Sequence, residues 1–234
     1  GTYSYVYFPF INEIARRCQK EFPSLYLTVY GYCNVSQIPE GVRLEPNIVL
    51  TAVLKSYRWG DPAWAAQEQD EVMSWSRLGV SMLTHDWSFA GVSPREYTDV
   101  FAYFLRWGAQ HGVVGCYTEW SHGENWYLDG ARYWIKRQLL SDPYQNVAAL
   151  WRQYCDDLYG AGSEDMYRFF RLFADKYAFV ERYVVPRPLP SEEPAMYSPE
   201  DIALQRLLLE KARAETKDDP VIQKRLEKVA RYFH

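Results

Sequence analysis

The chain has 234 residues, 48% hydrophobic and 24% charged, with a formal net charge of -4. That is enough apolar material for a sizeable core, and the slight acidity excludes the concentrated Lys and Arg that nucleic acid or an anionic membrane surface demands. No apolar run approaches the roughly 20 residues that cross a bilayer, so neither nucleic acid nor membrane is an expected partner.

Three-and-four spacing of Tyr5, Phe8, Ile11, Ile14, Ala15 and Cys18 predicts a helix that runs into Phe22-Pro23. A strand follows at Leu25–Tyr30, then a turn-rich link through Ile38-Pro39-Glu40-Gly41 and a second strand at Ile48–Leu54. That link is too short for an ordinary crossover helix. A helix is expected from Pro62 to Leu78, and a third strand from Gly79 to Asp86. Ser93-Pro94-Arg95-Glu96 reads as a helix cap with proline at the first helical position, opening a helix to about Gln110. A fourth strand runs from Gly112 to Glu119. Helices are then expected over Asn125–Leu140, Asp142–Tyr159 and Ser163–Tyr183. A stretch with five prolines between Val185 and Pro199 separates them from two charged helices at Pro199–Thr216 and Pro220–Phe233.

The third and fourth strands read as one design written twice. Gly79-Val80 through Asp86-Trp87 and Gly112-Val113 through Glu119-Trp120 both end in a carboxylate followed by tryptophan, and they start 33 residues apart, about one βαβ unit. In parallel α/β folds functional groups gather at the carboxyl ends of strands, so Asp86 and Glu119 are the candidate catalytic pair. Glycoside hydrolysis needs two such carboxyls, about 5 Å apart for retention and about 6.5–9.5 Å for inversion. The competing structural role for each is to cap the next helix or to pair with Arg95 or Arg132. Neighbours on a strand point to opposite faces, so if Asp86 faces the site, His85 does not.

Aromatic residues make up 17% of the chain. Most have helical spacing and belong in a core, but rings beside strand ends can serve as platforms for the apolar faces of sugars. Tyr30, Tyr32, Trp59, Trp87, Trp120 and Trp126 are such candidates. His85 and His122, the latter in a glycine-containing loop, complete the substrate-binding set. Lys55 or Arg58 can hold a sugar carboxylate, Arg by a bidentate contact. Cys18, Cys33, Cys116 and Cys155 lack metal-ligand spacing, and the chain has no Walker loop, GxGxxG, HExxH or G-x-S-x-G. No metal and no cofactor is therefore expected.

Four parallel strands cannot close an eight-stranded barrel. They form either a small open sheet or half of a barrel, and a start on a helix without a preceding strand favours the half. Several segments point the same way: Phe10-Ile11-Asn12-Glu13-Ile14-Ala15 with Phe22-Pro23, Leu44-Glu45-Pro46-Asn47-Ile48-Val49, Gly112-Val113-Val114-Gly115, and Leu139-Leu140-Ser141-Asp142-Pro143 leading to Tyr159-Gly160. With these, the chain resembles a bacterial domain of unknown function, number 4838, similar to the catalytic barrels of α-glucuronidases and β-hexosaminidases. The resemblance implies an α/β fold, the C-terminal half of a (β/α)8 TIM-type barrel followed by an all-helical extension. It also implies an extracytoplasmic location, and a general acid on a strand of the barrel's first half, expected from the same longer polypeptide.

The expected organisation is a half-barrel over 1–140, a helical extension over 141–184, a proline-rich arm over 185–198 and C-terminal helices over 199–234. The expected function is a glycoside hydrolase-like domain acting on oligo- or polysaccharide, acidic sugars among them, by two-carboxylate catalysis with carbohydrate as partner. A non-catalytic carbohydrate-binding module and a protein-interaction scaffold are the alternatives.

Overall fold

A computed structural model describes residues 3–37, 39–87, 96–118, 126–178 and 197–233. Its contacts divide the chain into two units, one of residues 1–88 with 104–119 and one of residues 89–103 with 120–234. The division is discontinuous along the chain.

The first unit is a four-stranded parallel sheet, ordered β1-β2-β3-β4, with an α-helix between β2 and β3 and another between β3 and β4. Helix α1 (Ser4–Glu21) precedes β1 (Leu27–Gly31) and β2 (Ile48–Leu54). Helix α2 (Pro62–Ser76) leads to β3 (Ser81–Asp86), and α3 (Thr98–Gln110) to β4 (Val113–Thr118). The strands come almost where the sequence puts them. Helix α3 starts later than predicted: the Glu96 carboxylate accepts from the Thr98 N–H, while Ser93, Pro94 and Arg95 lie outside the described residues.

Each strand joins the same edge of the sheet, and right-handed crossovers then put the connecting helices on one side. On that side Ile48, Leu50, Ala52 and Leu54 are at most 1% exposed, and Val29 and Met82 are buried with them. Thr28 and Tyr30 of β1, Ser81 of β3 and Tyr117 of β4 lie on the other side and are exposed. The repeated Gly-Val has a backbone cause. Gly79 and Gly112 follow α2 and α3 with φ of 71° and 86°, a left-handed turn that only glycine makes without strain as the chain leaves a helix for a strand.

No α-helix joins β1 to β2 among the described residues, and side chains of α1 hold the link instead. Asn12 donates to the Arg43 carbonyl at 2.7 Å and accepts from the Glu45 N–H at 3.0 Å. Asn47 donates to the Ala15 carbonyl, and Arg16 pairs with Glu45, both at 3.0 Å.

The second unit is helical. It contains the first residues of α3 and helices α4 (Trp126–Ser141), α5 (Val147–Tyr159), α6 (Ser163–Ala178), α7 (Pro199–Glu215) and α8 (Pro220–Phe233). Helix α5 begins after an Asn146 cap rather than at Asp142-Pro143, because the Asp142 side chain caps a turn by accepting from the Tyr144 N–H. A capping box of Ser198 and Asp201 opens α7. The unit buries charge as well as rings: Arg132 pairs with Asp129 at 3.1 Å, and Lys136 donates to the Tyr97 hydroxyl at 3.0 Å. Residues 179–196, which include most of the proline-rich arm, lie outside the described residues.

Candidate functional site

The carboxyl ends of β1, β3 and β4 bring aromatic side chains together on the side of the sheet away from the helices. His85 pairs in register with Tyr117, and their rings stack at 4.6 Å with 15° between planes. Tyr30 meets His85 edge-on at 6.2 Å, and the Tyr117 hydroxyl donates to the Tyr30 hydroxyl. Trp87 lies 6.0 Å from His85 and 6.1 Å from Tyr32, tilted to both. Tyr30 is 44% exposed and Tyr32 39%, whereas His85 is 5% exposed, so the imidazole forms the floor and the tyrosines the rim. A half-exposed group of rings with polar tips can cover the apolar face of a sugar and hydrogen-bond its hydroxyls.

Asp86 is not on that side. It pairs with Leu54 and Thr118 in register, is 0% exposed on the helix-covered side, and accepts a hydrogen bond from the Ser56 hydroxyl. The alternation along β3 is the expected one with the opposite assignment: His85 is toward the open side and Asp86 away from it.

The two copies of the repeated motif are also offset. Counted from their glycines, 33 residues apart, Asp86 matches Glu119, but in the ladder, after a one-residue irregularity between Met82↔Val113 and Leu83↔Gly115, partners lie 32 residues apart, so that Asp86 faces Thr118. An extra residue in one strand moves every later side chain to the other face. Glu119 itself, with Trp120 and His122, lies outside the described residues.

Trp59 is a core residue. It is 4% exposed, packs edge-on against Phe104 at 4.9 Å and Trp107 at 5.4 Å, and its indole N–H donates to Glu68 at 2.8 Å, which leaves no ring face for a ligand. Trp126 belongs to the helical unit, where it opens α4, stacks on Tyr133 at 5.7 Å and is 51% exposed.

Sequence reasoning missed Tyr117 and Ser56. Tyr117 sits inside the repeated motif, and its face depends on the one-residue shift, which no spacing in the sequence reveals. Ser56 matters only because folding puts its hydroxyl against Asp86, 30 residues away.

Beside the aromatic group, the loop after β2 is held by carboxylates. Glu68 accepts from the Lys55 N–H through both oxygens, at 3.2 and 3.1 Å, besides its bond to Trp59. Burial raises the Glu68 carboxyl above its ordinary pKa, against the opposing pull of these donors and of the Lys55 charge. Burial and the neighbouring Glu68 charge push Glu71 up to about 7, with Lys55 again opposing. Among the described residues, no group of three His, Cys, Asp or Glu is placed to hold a metal ion.

A family model described as "Domain of unknown function (DUF4838)" matches residues 1–170, a span that takes in all four strands and the aromatic group. No curated protein and no solved structure matches the chain.

Proposed function

The chain belongs to the family described as Domain of unknown function (DUF4838), and from that premise and the geometry of its sheet we propose a glycoside hydrolase-like domain that binds oligo- or polysaccharide on the open side of half a (β/α)8 barrel. One observation carries the reading. A parallel sheet with strictly sequential strand order, its connecting helices on one side among the described residues, carries Tyr30, Tyr32, His85, Trp87 and Tyr117 on or beside its other side, at the carboxyl ends of strands. In (β/α)8 barrels that is where ligands bind. The β1 and β4 edges, unpaired among the described residues, suit continuation by further βα units.

Two-carboxylate catalysis requires acids that reach the glycosidic oxygen and its opposite face. Asp86 is fully buried and bonded to Ser56, so in this reading it braces the site and does not touch substrate. Glu119, which follows Thr118 in the sequence, is in this reading the catalytic carboxylate that remains, and its partner comes from the other half of the barrel. The burial of Asp86 also favours a second reading, a carbohydrate-binding module without turnover.

The test uses the longest natural polypeptide that contains the chain, with aryl glycosides and a glycan panel. Trp87→Ala and Tyr117→Ala lower glycan affinity about tenfold, the scale of about 1.4 kcal/mol for a lost ring contact. Glu119→Gln lowers turnover by at least about a thousandfold, within the range that general acid–base groups supply, while circular dichroism reports an intact fold. Glycan binding without turnover in the unaltered protein selects the module. Absence of glycan binding removes both readings.

A further inference from the structure

We propose that Arg58, held flat against Trp64, is the recognition group for a carboxylate on the ligand, so that the site prefers acidic to neutral oligosaccharides; this rests on the carbohydrate reading above.

The loop that carries Arg58 is fixed from two sides. Ser56 donates to the buried Asp86, and Glu68, itself buried, accepts from the Lys55 N–H and the Trp59 indole. Two interior carboxylates are thus occupied in positioning five residues of backbone, which is more bracing than a solvated surface turn needs. The loop continues directly from the carboxyl end of β2, where Leu54 pairs with Asp86. Arg58 therefore stands one strand away from the end of β3, which carries His85 and Trp87.

Within this loop the two cations differ. Lys55 lies close enough to Glu68 and Glu71 for its charge to act on both, and its Nζ is 4.9 Å from the Trp64 ring centre. The Arg58 guanidinium lies 3.4 Å over the same ring. Among the described residues it has no ion pair and no side-chain hydrogen bond, and its Nε is closed to solvent with no acceptor. A buried donor without an acceptor forfeits its hydration without return, so this placement of the guanidinium calls for an explanation.

Stacking on indole occupies the flat face of the guanidinium and fixes its plane. The N–H groups lie in that plane, and a planar carboxylate can meet two of them in parallel. A tetrahedral sulfate ester matches this fork less well. A neutral sugar, which offers a hydroxymethyl group in place of the carboxylate, gains no ion pair.

The experiment compares binding of matched oligosaccharides that differ only at C6, as the alcohol, the carboxylate or the sulfate ester, by calorimetry at low ionic strength with the unaltered protein, Arg58→Gln and Arg58→Lys. The expected result is at least tenfold tighter binding of a uronate than of its neutral partner, with the sulfate ester weaker than the uronate. Arg58→Gln reduces that preference to within about twofold, and Arg58→Lys restores only part of it. Equal binding of uronate and neutral partner in the unaltered protein overturns this inference and leaves the carbohydrate reading standing. So does a preference that survives Arg58→Gln, or a sulfate ester bound as tightly as the uronate. Binding of none of the three series overturns the inference together with the carbohydrate reading.

Discussion

Asp86 and His85 are neighbours on one strand with opposite surroundings. The Asp86 carboxylate accepts the Ser56 hydroxyl where no solvent reaches, while the His85 ring stacks on Tyr117 at the floor of an aromatic group whose rim is open. Their contributions separate accordingly. Asp86→Ala leaves a buried hydroxyl without its acceptor and opens space beside it, and should lower the free energy of unfolding by about 3 kcal/mol. Urea denaturation measures this; a loss under about 0.5 kcal/mol would contradict the bracing role. The family resemblance contains the same kind of residue. Asn12 and Asn47, both within the segments that carry it, spend their side chains on backbone groups of the β1–β2 link and of α1, so these positions mark architecture rather than chemistry.

At the scale of elements, the helix-covered side of the sheet tolerates little added volume. Gly31 ends β1 beneath Trp75 of α2, and a Cβ there would fall 2.7 and 2.9 Å from ring carbons of the indole. The indole is itself pinned, since it is 2% exposed and donates to the Ser36 carbonyl at 3.1 Å. Gly31→Ala should therefore cost about 2 kcal/mol from overpacking, read as a lower melting temperature with unchanged helical circular dichroism at 20 °C. An unaltered melting temperature would mean that α2 shifts freely, against the packing described. The β4 shift is the other feature at this scale. By placing Tyr117, and not its neighbour, opposite His85, it assembles the ring stack.

For the whole molecule, a half-buried carboxyl, Glu71, and a buried one, Glu96, set a pH dependence. Glu71 in the sheet unit is raised to about 7 by burial and the Glu68 charge. Glu96 in the helical unit is raised to about 7 by burial, which outweighs the pull of Arg132 and of its bonds to Thr98. Both groups ionise near the ordinary value of about 4.3 when the chain unfolds, so between these values the folded state binds more protons. Their stabilising contribution is complete below about pH 4.3 and is lost as pH rises toward 7. Denaturation at pH 5 and pH 8 should give lower stability at pH 8, and Glu71→Gln should reduce that difference. A difference of the opposite sign would exclude raised values for these groups.

The sequence by itself determined the elements of this protein. Strands such as Ile48–Leu54 and helices such as Pro220–Phe233 end where their apolar periods, prolines and glycines say they do, because those signals act through the local backbone. The parallel sheet followed from helices alternating with strands, and the candidate rings at Tyr30, Tyr32 and Trp87 followed from their places at strand ends. Which side each residue faces was decided only by the tertiary structure. The register of β4 against β3, invisible to spacing, runs one residue out of step with the two repeated motifs; the pairing of Ser56 with Asp86 holds that carboxylate away from the open side; and packing against Phe104 and Trp107 removes Trp59 from the surface. Each of these depends on contacts between residues distant along the chain, and alternation along a strand fixes only relative facing until such contacts choose the sign.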